Sequence, residues 1–176
     1  MTDLGGRDTL FSEERPGPDG FVFDEAVAAV FPDMIKRSVP GYVAVINMIQ
    51  LLAGRYAQPG SLLLDLGCSL GASTVALARG AAGRGCRVVG VDNAPAMLTQ
   101  ARELTAHSHL SIEWQCADVR DVEITGASVV VMNFTLQFLP PGDRLAMLRR
   151  IRDGLEPEGV LILSEKIAGA DAQEDA

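Results

Sequence analysis

The feature that most constrains this chain is a change of rhythm at Ser61. From there to Ser164, short apolar runs alternate with stretches of helical periodicity. Crossover helices that cover both faces of a sheet produce such an alternation, so it specifies a parallel α/β architecture. Strands are predicted at Leu62 to Asp65, Arg87 to Asp92, Leu110 to Cys116, Ser128 to Asn133 and Val160 to Ser164, mostly too apolar to leave a face in water. Helices are predicted near Ser73 to Ala81, Pro95 to His107 and Pro141 to Leu155. Met97, Ala101 and Leu104, and then Leu145, Leu148 and Ile151, keep the three- and four-residue steps of faces packed on that sheet. The fold class is therefore a doubly wound, mainly parallel, Rossmann-like sheet.

Ahead of the alternation, residues 1 to 20 set Pro16, Gly17, Pro18 and Gly20 among charges and read as a flexible arm. Phe21, Phe23, Val27, Val30 and Phe31 form an apolar cluster predicted to be a short helix stopping at Pro32. Tyr42, Val45, Ile46, Ile49 and Leu52 predict a longer helix up to about Tyr56. Residues 21 to 167 then make one domain, with helices over 21 to 56 and the α/β core over 61 to 167, and 168 to 176 read as a frayed tail.

Composition narrows the partners. Of the 176 residues 48% are hydrophobic, enough for one core, and 23 acids against 15 bases give a net charge of −8 that opposes a direct grip on nucleic acid or anionic lipid. No apolar stretch approaches the ~20 residues of a membrane span, and the N-terminus lacks the layout of a signal peptide, so a cytoplasmic protein is expected. Cys68, Cys86 and Cys116 lack metal-ligand or disulfide spacing and read as reduced; no metal is expected.

The chemistry concentrates in Asp65-Leu66-Gly67-Cys68-Ser69-Leu70-Gly71, a loop that closes the first strand and opens a helix, where doubly wound sheets bind nucleotides. Gly67 permits a tight turn and Gly71 lets helix and strand approach, so a ligand can lie against bare backbone N–H groups. A dinucleotide site would want a glycine at position 69, which is Ser, while Asp92 at the end of the second strand suits free ribose hydroxyls. Asp65 at the front of the loop would repel phosphate yet can serve an ammonium group. Both points favour S-adenosyl-L-methionine. A purely structural βα turn is the competing reading. Later strand ends favour the ligand: Asp92 and Asn93, Asp118 for the adenine amino group with Val119 against the ring, and Asn133 nearer the amino acid. Asp118 also reads as a simple turn residue before Arg120 and Asp121.

Beyond the loop, Arg7-Asp8-Thr9-Leu10-Phe11-Ser12, Val30-Phe31-Pro32-Asp33-Met34-Ile35, Arg37-Ser38-Val39-Pro40-Gly41-Tyr42, Asn133-Phe134-Thr135-Leu136-Gln137-Phe138-Leu139 and Leu163-Ser164-Glu165-Lys166 occur in order around it. Together with the loop they resemble the carboxy-S-adenosyl-L-methionine synthase family over essentially Arg7 to Lys166. The resemblance implies a class I methyltransferase-like fold that transfers no methyl group. Such a fold carboxylates the sulfonium methyl of S-adenosyl-L-methionine, its substrate, through an ylide that captures carbon dioxide from prephenate, and it releases phenylpyruvate. The product would serve wobble-uridine modification in tRNA, and the enzyme would be a homodimer. By the same resemblance Tyr42, Gly67, Cys68, Ser69, Asp92, Asn93, Asp118, Val119 and Asn133 line the site, although spacing alone makes Tyr42 a core aromatic. Such chemistry needs few acid–base groups, and His107 and His109, away from the strand ends, read as surface residues.

The resemblance also raises an expectation about length. Family members continue further, with a hairpin beyond the fifth strand and an arginine that holds the new carboxylate, whereas no arginine follows Arg152 here. Val160 to Leu163 would then be an uncovered apolar edge, prone to association that light scattering would detect. Two alternatives stay open on sequence, an ordinary S-adenosylmethionine-dependent methyltransferase and a non-catalytic binding remnant.

Overall fold

The computed structural model describes residues 25–167. The arm, Phe21, Phe23 and the tail lie outside the described residues. The first helix, α1, spans Glu25–Ser38 and runs through Pro32 where the sequence predicted a stop. A proline inside a helix costs ~3 kcal/mol. Packing offsets it: Val27 and Ala28 are buried with Ala94 and Met97, and Phe31 and Leu70 close over them. Helix α2 (Tyr42–Tyr56) follows Gly41, whose φ of 77° is the left-handed turn between the two helices.

The core elements are β1 (Leu62–Leu66), α3 (Ala72–Gly80), β2 (Arg87–Asp92), α4 (Pro95–Thr105), β3 (Glu113–Cys116), β4 (Ala127–Asn133), α5 (Pro141–Gly154) and β5 (Leu155–Ser164), with a 3₁₀ turn at Leu136–Phe138 before α5. The strands form one sheet in the order β3-β2-β1-β4-β5, and every pairing is parallel. Because side chains alternate along a strand, β1 splits its leucines between two cores. Leu64 and Leu66 face Met147 and Ile151 of α5, while Leu63 faces Ile49 and Ala53 of α2 and Ala76 and Leu77 of α3. Each such leucine, fully buried, contributes roughly 1.5–3 kcal/mol.

The central strands match the reading of the sequence, but the edges depart from it. Leu110 and Ile112 lie before the strand rather than in it, and β3 has Glu113, Gln115 and Cys116 in water, because it pairs with β2 alone. Leu104 and Leu145, placed in the buried faces by their spacing, are 62% and 57% exposed. The faces that pack are Met97, Leu98 and Ala101 on α4, and Met147 and Ile151 on α5. Strand β5 starts at Leu155, five residues earlier than predicted, and reaches its apolar half past Glu158 (φ 64°) and a register shift against β4. Among the described residues its outer edge has no partner, with Val160, Leu161 and Ile162 half-buried and Leu163 exposed.

The chain leaves β1 toward β2 on one side and returns on the other as β4. Their carboxyl ends thus diverge at the topological switch point, where doubly wound sheets bind ligands.

Candidate functional site

The site is built from the rim of that crevice. Leaving β1, the chain turns through Gly67 (φ 80°), Ser69 (φ 50°) and Gly71 (φ 82°) into α3. Gly67 and Cys68 donate their N–H groups to the Val91 carbonyl at 2.8 and 2.9 Å, which ties the loop to β2. A side chain on Gly67 would strike Thr135, and one on Gly71 would strike the Trp114 ring. Gly71 therefore makes room for an indole from β3, a different cause from the helix–strand approach read from the sequence.

Asp92, at the end of β2, accepts from the Ser69 N–H at 2.8 Å and from the Ala94 N–H at 2.9 Å. It holds both the loop and the start of α4, and burial raises its pKa against the lowering effect of those bonds. Asp65 is fully buried at the end of β1. The Thr74 hydroxyl donates to its Oδ2 at 2.6 Å, while Oδ1 has no partner. Burial pushes its pKa up to about 7, with Thr74 pulling down and the Asp92 charge adding to the rise. Tyr42 opens α2; burial first, and then the charge of Asp65, push its phenol up to about 12, so the hydroxyl stays protonated and faces the Asp65 field. Burial likewise keeps the Cys68 thiol neutral.

Across the switch point, Asn133 ends β4. Its Nδ2 donates to the buried Ser73 hydroxyl at 3.2 Å, and its Oδ1 is enclosed without a partner. The register places Asp65 opposite Val131, so Asp65 and Asn133 stand on the same face two residues apart. Phe134 then takes a φ of 60°, and Thr135 lies against Gly67, its hydroxyl 3.5 Å from the Gly67 carbonyl.

Tyr42, Asp65, Gly67, Cys68, Ser69, Asp92 and Asn133 thus gather around one crevice. Asn93 is on its edge, exposed. Asp118 follows β3 beside Asp92, since the Ala117 N–H reaches the Asp92 carbonyl at 3.0 Å. Its carboxylate is engaged as a turn residue, accepting the Arg120 N–H at 2.8 Å and the Arg120 guanidinium at 2.7 and 3.0 Å. Arg120 holds the Asp118 carboxyl below the usual range, and Val119 is buried in the core. His107 and His109 are exposed, distant in sequence from every strand end that builds the rim. Among the described residues no cluster of His, Cys, Asp and Glu could hold a metal ion, and no helix is long and apolar enough to cross a membrane.

The sequence reading passed over Ser73 and Thr74, hydroxyls in the first turn of an otherwise apolar helix, and Trp114. It also passed over Glu165. The sequence does carry a signal for Glu165, an acid directly after an apolar strand as at Asp65 and Asp92. Its Oε1 accepts from the Leu136 N–H at 2.6 Å, and its Oε2 is buried without a partner.

Comparison with known proteins identifies the family. A methyltransferase-domain family model matches residues 63–159. Carboxy-S-adenosyl-L-methionine synthase of Geobacter sp. (strain M21) is 52% identical over 164 residues, covering 92% of this chain and 67% of the relative. The same-named protein of Klebsiella pneumoniae (strain 342) is 49% identical over 171 residues, covering 96% and 69%. Among solved structures, a putative S-adenosyl-L-methionine-dependent methyltransferase from Methanococcus maripaludis superposes with a TM-score of 0.63 at 18% identity, over 86% of this chain and 68% of that one, a likeness of fold alone. The chain belongs to the carboxy-S-adenosyl-L-methionine synthase family, transferases with a class I methyltransferase-like fold.

Proposed function

We propose that this chain binds S-adenosyl-L-methionine in the crevice and, with prephenate, converts it to carboxy-S-adenosyl-L-methionine and phenylpyruvate. Family membership supports the reaction. The observation that carries the binding site is the pair of buried, unpartnered acceptors, Asp65 Oδ1 and Asn133 Oδ1, on one face at the switch point. Such oxygens suit a ligand rich in donors and positive in charge, as the α-ammonium of the amino-acid end is, and they oppose a phosphate.

The bound substrate supplies a methyl group that the adjoining sulfonium makes acidic. The protein's part is to hold and shield it. Asp65 and Asn133 receive the ammonium, with the Tyr42 hydroxyl beside them. Each Asp92 oxygen already accepts one backbone N–H and keeps a lone pair for a ribose hydroxyl. Gly67, Cys68 and Ser69 present backbone along the substrate, and Asn93, Asp118 and Val119 flank adenine. Prephenate gives up its carboxyl carbon as carbon dioxide and expels hydroxide; the methyl carbon forms the new C–C bond, and its lost proton leaves with the hydroxide as water. No strong base is required, which suits a rim without histidine; orientation and exclusion of water are the chain's contribution. The product would feed wobble-uridine modification in tRNA, with the acidic surface avoiding a direct grip on RNA, and the working unit would be a homodimer.

Incubation with S-adenosyl-L-methionine and prephenate, followed by mass spectrometry, tests the reading. The expected result is a cofactor that has gained one carboxyl group. A methylated acceptor, or unchanged cofactor under conditions where binding is measured, overturns it.

A further inference from the structure

We propose that Glu165 is a positioning residue for the transfer step, an internal carboxylate that fixes the loop from Phe134 to Leu139 against the cofactor cradle. The proposal rests on the reaction given above, but its physical basis is independent of it. Glu165 follows β5 directly, and its carboxylate accepts the Leu136 backbone N–H at 2.6 Å. The amides here, from Leu136 on, belong to a turn of only three residues, too short to satisfy its own donors. The loop they belong to is strained at its start, where Phe134 holds a φ of 60° without being glycine. The Phe134 N–H donates to the Ser164 carbonyl at 2.7 Å, so β5 grips the loop immediately before the carboxylate does.

The other side of this loop is the cradle itself. Thr135 occupies the space that a side chain on Gly67 would need, and Asn133, one residue ahead of the strained position, carries an unpartnered acceptor. Glu165 therefore sets Thr135, and through it Gly67, from the far edge of the sheet. It touches none of the groups assigned to ribose or adenine, which hang on β2 and the turn after β3. Its loss should misplace the reacting end of the substrate while leaving the nucleoside end bound. Removing the carboxylate also frees the Leu136 N–H, a donor that a small free carboxylate can occupy.

Glu165→Ala and Glu165→Gln in the whole chain test this through turnover, S-adenosyl-L-methionine affinity and amide hydrogen exchange. Glu165→Ala is expected to lower kcat about 100-fold, the scale of an ångström-sized misplacement. Affinity for S-adenosyl-L-methionine should stay within about threefold of wild type, less than the tenfold that 1.4 kcal/mol represents. Exchange at the Leu136 amide should accelerate in Glu165→Ala, and added acetate should slow it and raise turnover there alone. Glu165→Gln, which keeps an acceptor oxygen, should recover most of both. Wild-type turnover in Glu165→Ala, a fall in affinity matching that in kcat, or failure of both acetate and glutamine to restore activity would overturn the proposal. Unchanged exchange at the Leu136 amide overturns it even if the wild-type protein proves not to carboxylate, an outcome that separately defeats the reaction itself.

Discussion

The two ends of this one sheet treat buried polar groups in opposite ways. At the amino ends of the strands, Ser61 and Ser128 share a hydrogen bond of 2.6 Å, and Ser61 also donates to the Gln58 carbonyl at 2.7 Å. The Gln58 N–H reaches Ser128 at 3.1 Å, and the Arg84 guanidinium takes the carbonyls of Ala57 and Gly54. At the carboxyl ends, Asp65 and Asn133, on one face of the switch point, each leave one enclosed oxygen without a partner. An unsatisfied buried acceptor costs roughly 1–3 kcal/mol. The same chain satisfies its buried groups at one end, so the unfinished bonding at the other marks where a ligand's donors belong.

The largest expected effect is at Asp65. Its pKa of about 7 in the folded protein lies above the ordinary carboxyl value, so ionisation is penalised by folding. Stability should therefore fall as pH rises from about 4 through 7, and the full penalty, on the order of 4 kcal/mol, applies above that. Asp65→Asn keeps an oxygen for Thr74 and removes the charge. It should be more stable than wild type at pH 8, converge with it at low pH, and bind S-adenosyl-L-methionine about tenfold more weakly at pH 8. Paired thermal melts and calorimetric titrations measure this opposition. A variant less stable than wild type at pH 8 would mean that Asp65 is a finished structural group, and the contrast between the two ends would collapse.

Asp92→Ala comes next. It removes the acceptor for two backbone donors and for the proposed ribose contact, and affinity should drop about 30- to 100-fold, two to three kcal/mol. Affinity unchanged by calorimetry would detach the cradle from β2. The packing under the rim is expected to matter slightly less. A side chain on Gly90 would come within 2.7 Å of Trp114 and 2.9 Å of Thr74, so Gly90→Ala should cost about 2 kcal/mol as overpacking. Trp114→Leu in the same chain should recover part of that loss in denaturant titrations. No coupling between the two changes would show that the glycine answers to something other than the indole.

These residues also show why the fold was more legible than the site. Strand and helix positions follow from period, and burial of β1, β2 and β4 in two apolar layers makes that period strict. Leu104 and Leu145 keep the same spacing yet face water, because at the margins periodicity no longer meets a partner surface. Asp65 and Asp92 could be read because an acid ending an apolar strand is costly enough to need a reason. Trp114 and Thr135 could not, since their parts depend on contacts with Gly71, Gly90 and Gly67 that no local pattern encodes. Proline at position 32 misled for a related reason: a local penalty is visible in sequence, and the packing on α4 that overrides it is not.

The smallest expected effect is the control for the comparison. Ser128 is fully buried at the amino end of β4, bonded to Ser61 and to the Gln58 N–H. Ser128→Ala leaves that N–H and one hydroxyl short of a partner, and should cost about 1–2 kcal/mol of stability. Because β4 runs six residues from Ala127 to reach Asn133, the defect lies at the far end of the strand from the cradle. Affinity for S-adenosyl-L-methionine should therefore stay at the wild-type value in a calorimetric titration, even as the melting temperature falls. The two ends are then separable, one carrying stability and the other binding. Weaker binding in Ser128→Ala, comparable to that in Asp65→Asn, would show instead that the sheet transmits the state of either end to the other, and that the unpartnered oxygens are not a local property of the rim.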